Sequence, residues 1–343
     1  MSIATSLFSL TRRRWLAAVA ASIALSACAP MAPAPSGTDP LPSWNEGANK
    51  QRITDFVKAV TTEGSKDYVA PADRIATFDN DGTLWLEYPM YTQVVFVFDR
   101  IRALAPQHPE WKTTEPYKSL LAGDMKGVMV SGTRGLLEML GAAQSGTTPE
   151  EFEGIVKQWL QTGKDARFKR PYTELTYQPM QELMAYLRAN GFKTYIVSGG
   201  TVDFMRAFTL PAYGVPNEQV IGSRQKFAFE VKGGKPSVQM QAPLEFNDDK
   251  EGKPIAIAQI IGKRPIAAFG NSDGDFQMLQ WTTAGSGKRL GMFVHHDDAV
   301  REYAYDRQSA VGKLDEGLNQ YQAMGWGLIS MKNDWKTIFS PAK

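Results

Sequence analysis

Two acidic side chains separated by a single residue stand out in the segment Asp79-Asn80-Asp81-Gly82-Thr83-Leu84. The short apolar run at 74–78 comes directly before it and predicts a buried strand that ends in this loop. Ligands of open α/β sheets bind beyond the carboxyl ends of the strands. Both carboxylates can therefore face one substrate, whereas an ordinary Asp-Gly turn would use the same residues only to reverse the chain.

Two further segments place polar groups at the ends of predicted elements. Ser198-Gly199-Gly200 follows the predicted strand 193–197, where a small hydroxyl and backbone N–H groups can hold a phosphoryl oxygen. Lys253 opens the predicted helix 254–261, and Lys250 is the alternative lysine. By themselves, these segments are also typical of a flexible turn and a solvated helix start.

An acidic loop, Asn271-Ser272-Asp273-Gly274-Asp275, follows the predicted strand 266–269. In chain order, the Asp79 segment, the Ser198 segment, Lys253 and this loop resemble the four motifs of the haloacid dehalogenase superfamily, in particular its phosphoserine-phosphatase-like members. The resemblance implies a phosphatase. Carbon-halogen cleavage by dehalogenases of the superfamily requires neither a second aspartate nor a metal-binding loop, and this chain has both.

The resemblance implies a role for each matched residue. Asp79 is the nucleophile, Asp81 is the general acid and base, and Ser198 and Lys253 are the further catalytic residues. Two carboxylates are needed because one attacks phosphorus while the other protonates the leaving alkoxide and then activates water. The residues that the motifs imply for binding phosphate are Thr83, Ser198, Gly199, Gly200 and Lys253.

The same resemblance implies a Mg²⁺ site formed by Asp79, Asp81, Asn271 and Asp275. Mg²⁺ takes oxygen ligands, typically one or two carboxylates together with water and substrate phosphate. Asn271 stands where phosphoserine-phosphatase-like relatives usually have an aspartate, so we expect Asp275 or Asp273 to carry more of the negative charge. The sequence leaves open whether Asn271 or Asp273 is a ligand.

More than a hundred residues separate the first two predicted strands, too many for one crossover helix. Thr148-Pro149-Glu150-Glu151 predicts a helix start there. We therefore expect a mainly helical cap domain at 87–175, inserted into a core domain at 46–86 and 176–343. Helices that alternate with short apolar strands predict an α/β fold with a doubly wound parallel sheet. The candidate substrate contacts near the two crossings are Trp85, Glu87, Tyr88 and Arg170.

Residues 1–27 have the pattern of a signal peptide, with three arginines at 12–14 before an apolar run that is too short to span a bilayer. Leu25-Ser26-Ala27-Cys28 resembles the lipobox of bacterial lipoproteins, which implies a lipid on Cys28. The proline-rich residues 28–45 are expected to form an extended tether. The arginines resemble a twin-arginine export signal but suit general secretion equally.

We expect a lipoprotein at the periplasmic face of a bacterial membrane. The outer membrane is favoured because Ala29 is not the aspartate associated with inner-membrane retention. Three of the 38 basic side chains lie in the leader, which leaves 35 against 36 acidic ones and argues against a nucleic-acid partner. Cys28 is the only cysteine, so an intramolecular disulfide is excluded.

Together these patterns predict a Mg²⁺-dependent phosphatase that acts on a small exported phosphomonoester. Two alternatives remain open. One is a phosphotransferase of the same superfamily. The other is a catalytically weak lipoprotein that binds a phosphorylated ligand, an interpretation motivated by the uncharged Asn271. The sequence indicates neither the ester nor the oligomeric state.

Overall fold

A sheet of eight strands organises residues 39–341, the part of the chain that the computed structural model describes. The strands are β1 (Ile75–Phe78), β2 (Lys193–Thr201), β3 (Val220–Lys232), β4 (Lys235–Phe246), β5 (Ala267–Gly270), β6 (Leu290–Asp297), β7 (Ala304–Tyr305) and β8 (Gly327–Ser330). Their order is β4-β3-β2-β1-β5-β6-β7, and β8 pairs with β6. Only β4 and β7 are antiparallel to their neighbours. The predicted doubly wound, mainly parallel sheet is confirmed.

Helices flank this sheet. Within residues 39–341 they are α1 (Ala48–Thr61), α2 (Thr92–Leu104), α3 (Tyr117–Leu121), α4 (Met125–Val130), α5 (Gly132–Gln144), α6 (Pro149–Thr162), α7 (Gln178–Ala189), α8 (Val202–Arg206), α9 (Thr209–Tyr213), α10 (Gly252–Ile260), α11 (Phe276–Thr283), α12 (Glu316–Gln320) and α13 (Met331–Asp334). None of these described helices is long and apolar enough to cross a membrane.

Helices α2 to α6 lie between β1 and β2, in the stretch where the sequence predicts a cap. α6 begins with the expected capping box: Glu151 N donates to Thr148 Oγ1 at 3.2 Å, and Thr148 N donates to Glu151 Oε2 at 2.9 Å. By its internal contacts, the chain from Asp39 onward forms one compact unit. The limits of separate cap and core domains therefore stay a prediction.

The central strands bury side chains on both faces of the sheet. Ala267 and Phe269 of β5 belong to one apolar cluster, and Ala268 between them belongs to another. Phe78 of β1 stacks on Phe269 with ring centroids 4.7 Å apart. Because both faces are covered, the strand ends that carry polar residues are held by a rigid core.

A long hairpin of β3 and β4 connects the sheet to the helices after β1. Gly233 and Gly234 form its turn with φ of +58° and +78°, which glycine adopts without strain. Gly146 N, just after α5, donates to Met240 O of β4 at 3.0 Å. Gly141 of α5 lies so close to β4 that a Cβ there would sit 2.2 Å from the backbone oxygen of Ala242.

The first described residues pack against the core. Leu41 and Trp44 are fully buried, and the Trp44 indole donates to Pro179 O at 2.9 Å. Trp44 also packs edge-on against Trp335, with ring centroids 6.0 Å apart. An extended tether is therefore wrong for 39–45, whose apolar side chains belong to the fold, whereas for 28–38 it stays a prediction. The predicted signal peptide and Cys28 lie outside the described residues.

Candidate active site

The polar segments meet because their strands end at the same edge of the sheet. Phe78 of β1 pairs with Ile196 of β2 on one side and with Phe269 of β5 on the other. The next residue, Asp79, donates its backbone N–H to Phe269 O at 2.9 Å. Asp79 is thereby fixed between Ser198 on β2 and the acidic loop after β5.

Lys253 joins the nucleophile candidate to the acidic loop. Its Nζ donates to Asp79 Oδ1 at 2.7 Å, to Asp275 Oδ1 at 2.5 Å and to Val197 O at 3.0 Å. The side chain is only 3% exposed. Lys250 is exposed and has a left-handed backbone with φ of 51°. The structure therefore brings Lys253, and not Lys250, to Asp79.

Asp81 is held by an aromatic side chain four residues further along the chain. The Trp85 indole N–H donates to Asp81 Oδ1 at 2.8 Å. Trp85 is buried and stacks on Phe208 with ring centroids 4.3 Å apart, so it is a positioning residue and not the substrate contact that we expected. On the other side of Asp81, a Cβ at Gly200 would lie 3.7 Å from Asp81 Oδ2.

The end of β2 provides a hydroxyl beside these carboxylates. Ser198 is 1% exposed, and its Oγ accepts the backbone N–H of Gly200 at 3.2 Å. The Ser198 proton remains available to a ligand. Gly199 and Gly200 leave the space next to it free of side chains, as phosphate binding requires.

Asp275 stabilises the acidic loop instead of facing the substrate. Its Oδ2 accepts the backbone N–H groups of Asn271 and Ser272, each at 3.0 Å, while Oδ1 accepts Lys253. The side chain is fully buried. Asp273 points away from the site, because its carboxylate accepts the backbone N–H groups of Asp315 and Gly317 at the start of α12. Neither aspartate supplies the charge that we expected at the cavity.

Glu87 supplies the acidic group beside Asn271. The amide nitrogen of Asn271 donates to Glu87 Oε1 at 2.6 Å, and Thr83 Oγ1 donates to Asn271 Oδ1 at 3.0 Å. Tyr305 OH also donates to Glu87 Oε1, at 2.9 Å. Thr83 is completely buried, so it orients Asn271 and does not contact phosphate directly as predicted.

Two predicted substrate contacts lie elsewhere. Arg170 donates to the backbone oxygens of Glu174 and Ser340, at 2.9 and 2.8 Å. Its guanidinium is therefore occupied by the chain itself. Tyr88 stacks on Tyr305 with ring centroids 4.7 Å apart. Neither side chain lines the cavity at the strand ends, which corrects the expectation for both.

The electrostatics of the cluster follow from its burial. Burial raises the pKa of Asp79 and the negative charge of Asp275 raises it further, whereas the ammonium of Lys253 opposes both effects. Burial lowers the pKa of Lys253, but the charges of Asp275 and Asp79 outweigh it and keep this pKa above its ordinary value. Burial also raises the pKa of Glu87, with the charge of Asp81 adding to the effect. Lys253 therefore stays protonated. A bound cation would also stabilise the charged forms of Asp79 and Glu87, which burial disfavours.

A cavity of about 280 Å³ opens over these residues. Its polar side includes Asp79, Asp81, Glu87, Ser198, Gly199, Gly200, Asn247, Asp249, Lys253 and Ser272. Helices α2 and α5 line it as well, with the apolar Val94, Leu136, Leu137 and Leu140 and the polar Gln93 and Thr133.

Further hydrogen bonds support the loop 79–84, and the sequence did not suggest them. Tyr213 OH donates to Asn80 Oδ1 at 3.1 Å, and His296 Nε2 donates to Gly82 O at 2.8 Å. His296 Nδ1 faces Glu302 Oε2 at 3.1 Å. The loop conformation that points Asp79 and Asp81 at one cavity is therefore fixed on several sides.

Residues 76–280, more than half of the chain, match the haloacid dehalogenase-like hydrolases. The chain belongs to this hydrolase family. The match runs from β1 into α11 and so includes all four segments that converge on the cavity. It confirms the superfamily and the hydrolase class expected from the motifs. No curated protein sequence matches the hydrolase.

Solved structures resemble the hydrolase at low sequence identity. A conserved protein of unknown function from Anaerococcus prevotii DSM 20548 is 17% identical over 73% of this chain and 86% of that chain, with a TM-score of 0.50. A protein of unknown function from Bordetella pertussis Tohama I is 17% identical over 75% and 97%, with a TM-score of 0.46. A probable phosphoserine phosphatase from Vibrio cholerae is 17% identical over 76% and 67%, with a TM-score of 0.37. The likeness to the Anaerococcus protein concerns the fold alone.

Proposed function

We propose that this hydrolase is a Mg²⁺-dependent phosphatase that cleaves a small phosphomonoester through a phosphoaspartyl intermediate on Asp79. The observation that carries the proposal is the placement of Lys253 between Asp79 and Asp275 on the floor of a cavity that Ser198 and Asp81 also line. A carboxylate can approach an anionic phosphate only where positive charge screens their repulsion. Lys253 provides such a charge at the attacking residue.

In the first step, a carboxylate oxygen of Asp79 forms a bond to phosphorus while the ester P–O bond breaks. Asp79 Oδ1 is bonded to Lys253, and among residues 39–341 no donor bonds Oδ2, which makes Oδ2 the attacking atom. The leaving alkoxide takes a proton from Asp81, whose carboxyl is oriented by Trp85. Ser198 and Lys253 hold the phosphoryl oxygens during this transfer.

In the second step, water attacks the phosphoryl group on Asp79. Asp81, now deprotonated, accepts the proton from this water as the new P–O bond forms. The bond between Asp79 and phosphorus breaks, which regenerates the carboxylate and releases inorganic phosphate. The reaction needs two acidic side chains because nucleophilic attack and proton transfer occur at different atoms.

The oxygen atoms of the site suit a Mg²⁺ ion that also binds the substrate phosphate. Bound Mg²⁺ supplies charge neutralisation at the phosphate oxygens. In the described part of the chain, no three His, Cys, Asp or Glu side chains form a metal site by themselves. Mg²⁺ does not need such a cage, because one or two carboxylates with water and phosphate complete its octahedron. We assign the carboxylate of Asp79 and the backbone carbonyl of Asp81 as the groups that would hold it.

Glu87 supports this assignment by replacing the missing charge of Asn271. Its carboxyl lines the cavity, is 2% exposed and is bonded to the Asn271 amide. A buried carboxyl whose pKa is raised gains most from a cation beside it. The Glu87 and Asn271 pair would thus do together what a single aspartate does in phosphoserine-phosphatase-like relatives.

Phosphate release from a broad panel of monoesters, with Mg²⁺ and with a chelator, tests the proposed activity. We expect release only with the metal, and we expect Asp79→Asn to abolish it while the circular dichroism spectrum stays unchanged. Activity retained by Asp79→Asn would remove Asp79 from its role. Added alcohols separate the alternatives, since a phosphotransferase would form new esters and a weakly catalytic binding protein would release no phosphate from any ester.

We also propose that the protein is exported and carries a lipid on Cys28. The support is the sequence pattern of residues 1–28, with its arginines, short apolar run and lipobox. Growth of cells with a radioactive fatty acid tests this proposal. Label on the wild-type protein and none on Cys28→Ser is expected, whereas an unlabelled wild-type protein would contradict it.

A further inference from the structure

Helices α2 and α5 bring mainly apolar side chains to the cavity. Val94 on α2 and three leucines on α5 face the catalytic floor, which lies at the strand ends. The leucines follow the spacing of one helix face, since Leu136, Leu137 and Leu140 lie three, four and seven residues after Thr133, which also lines the cavity.

Part of this helix face also contributes to folding, because Leu136 and Leu140 are partly buried against the main apolar cluster. Met139 and Ala143 are completely or almost completely buried in the main apolar cluster, and Gly141 approaches β4. Leu137, in contrast, keeps 40% of its surface exposed. Leucines that line a catalytic cavity and keep part of their surface exposed provide a contact surface for an apolar ligand.

The two helices bring only two polar side chains to the cavity within the described residues, Thr133 and Gln93, and the Gln93 amide is already bonded to Thr201. Lys253 is the only basic side chain that lines the cavity within the described residues, and it is already bonded to Asp79 and Asp275. No second cation is thus available for another phosphate. Tyr91 is the only aromatic lining residue in the described chain, and its hydroxyl accepts the backbone N–H of Gly312 at 3.2 Å. Sugar hydroxyls placed against Val94 and the leucines would lose their hydrogen bonds with water.

We propose that the alcohol part of the substrate is apolar, so that the hydrolase acts on an alkyl or aryl phosphate monoester. The phosphate sits over Asp79 and Lys253, and the alkyl or aryl group lies against the α5 face of Leu136, Leu137 and Leu140. This inference rests on the proposed phosphatase function for the position of the phosphate. The small cavity, about 280 Å³, suits a short chain or a single ring.

Calorimetric titration of the full-length protein with non-hydrolysable phosphonates tests the apolar wall without requiring turnover. The ligands are ethyl-, butyl- and hexylphosphonate, phenylphosphonate, 2-hydroxyethylphosphonate and the phosphonate analogue of phosphoserine, all with Mg²⁺ present. We expect the affinity to rise by up to about fourfold for each added methylene group until the cavity is full. A steeper gain for phenylphosphonate than for butylphosphonate would favour an aryl ester.

Substitutions on α5 show whether the gain comes from this wall. Leu137→Asn and Leu140→Asn should flatten the dependence on chain length and leave the affinity for 2-hydroxyethylphosphonate within about twofold of wild type. Leu210→Asn is the matched control, since Leu210 is 56% exposed and does not line the cavity. Affinity that is independent of chain length, or tightest for the phosphoserine analogue, would overturn the inference.

The same ligands distinguish failure of this inference from failure of the proposed function. If affinity rises with chain length but no alkyl or aryl phosphate is hydrolysed, the apolar site stands and the phosphatase proposal fails. If phosphoserine is hydrolysed and the alkyl series binds without a trend, the phosphatase stands and the apolar substrate is wrong.

Discussion

The indole nitrogen of Trp85 lies 2.8 Å from Asp81 Oδ1 and donates a hydrogen bond to it. Burial raises the pKa of Asp81, and this hydrogen bond counteracts the rise by stabilising the ionised form. Trp85→Phe keeps an aromatic ring against Phe208 but removes the donor. We expect the pKa of Asp81 to increase, so the pH optimum of phosphate release should move upward. A hydrogen bond to a charged group is worth about 1.5–3 kcal/mol, so kcat should fall roughly tenfold or more.

The pH dependence of kcat checks this prediction. Trp281→Phe is a suitable control, because Trp281 contacts Arg264 and does not line the cavity. A profile of Trp85→Phe that coincides with the wild-type profile would mean that Trp85 serves packing alone.

Lys253→Met should destabilise the protein strongly. The substitution leaves Asp79 and Asp275 buried without their shared cation, and breaking a buried pair in this way costs about 3–5 kcal/mol. The loss should be smaller at pH 5 than at pH 8, because burial raises the pKa of Asp79 to about 8 and its carboxyl is then protonated in acid. Urea unfolding at both pH values measures it. Lys250→Met, at an exposed position three residues away, should change the free energy of unfolding by less than about 0.5 kcal/mol.

Glu87→Gln should weaken the binding of Mg²⁺. The substitution removes the negative charge beside Asn271, and we expect the dissociation constant to rise roughly tenfold, as is common for groups that support metal ligands. Calorimetry with Mg²⁺, without substrate, provides the measurement. Glu302→Gln controls for the loss of a buried carboxyl, since Glu302 pairs with His296 and does not line the cavity. Equal affinities of wild type and Glu87→Gln would exclude Glu87 from the metal site.

We expect Asp248 to make the free energy of unfolding depend on pH. Both of its carboxyl oxygens are buried without a partner among the described residues, and burial raises its pKa from 3.8 to about 7. The folded state therefore holds this proton more tightly than the unfolded state. The stabilisation that protonated Asp248 provides is present in full below pH 3.8 and is lost as the pH rises to about 7.

Asp248→Asn should remove this dependence. Relative to wild type, the variant should gain up to about 4 kcal/mol between pH 4 and pH 8 in urea unfolding. Asp55→Asn, at an exposed position, should show no comparable trend. A constant difference between Asp248→Asn and wild type across this range would contradict the linkage.

Local sequence patterns predicted the parts of the site that depend on single segments. Asp79, Ser198 and Lys253 each follow or open an element whose apolar periodicity is readable, so their arrival at one sheet edge could be expected. The hairpin of β3 and β4 was missed. Gly233 and Gly234 signal its turn, but the flanking strands have exposed apolar residues such as Phe229 and lack an obvious buried face.

The roles of Glu87 and Thr83 could not be predicted from spacing. Glu87 contacts Asn271 across 184 residues and Thr83 contacts it across 188, so only the folded chain brings these side chains together. Arg170 shows the opposite error: a charged residue near the insert boundary suggested a ligand contact, but nearby backbone oxygens satisfy its guanidinium. Trp85 lies between these two cases. It is only four residues after Asp81 in the sequence, but its hydrogen bond to Asp81 depends on the conformation of the turn between them.

The contact between α5 and the hairpin has a mechanical consequence. β4 supports the helix that carries the leucine wall, β4 is paired with β3, and β3 is paired with β2, on which Ser198 lies. Tilting the wall would therefore strain a continuous ladder of paired strands that includes Ser198. The leucine wall and Ser198 are therefore mechanically coupled. Under the proposed mode of binding, an alcohol group that displaces the wall would also displace the hydroxyl proposed to hold the phosphate.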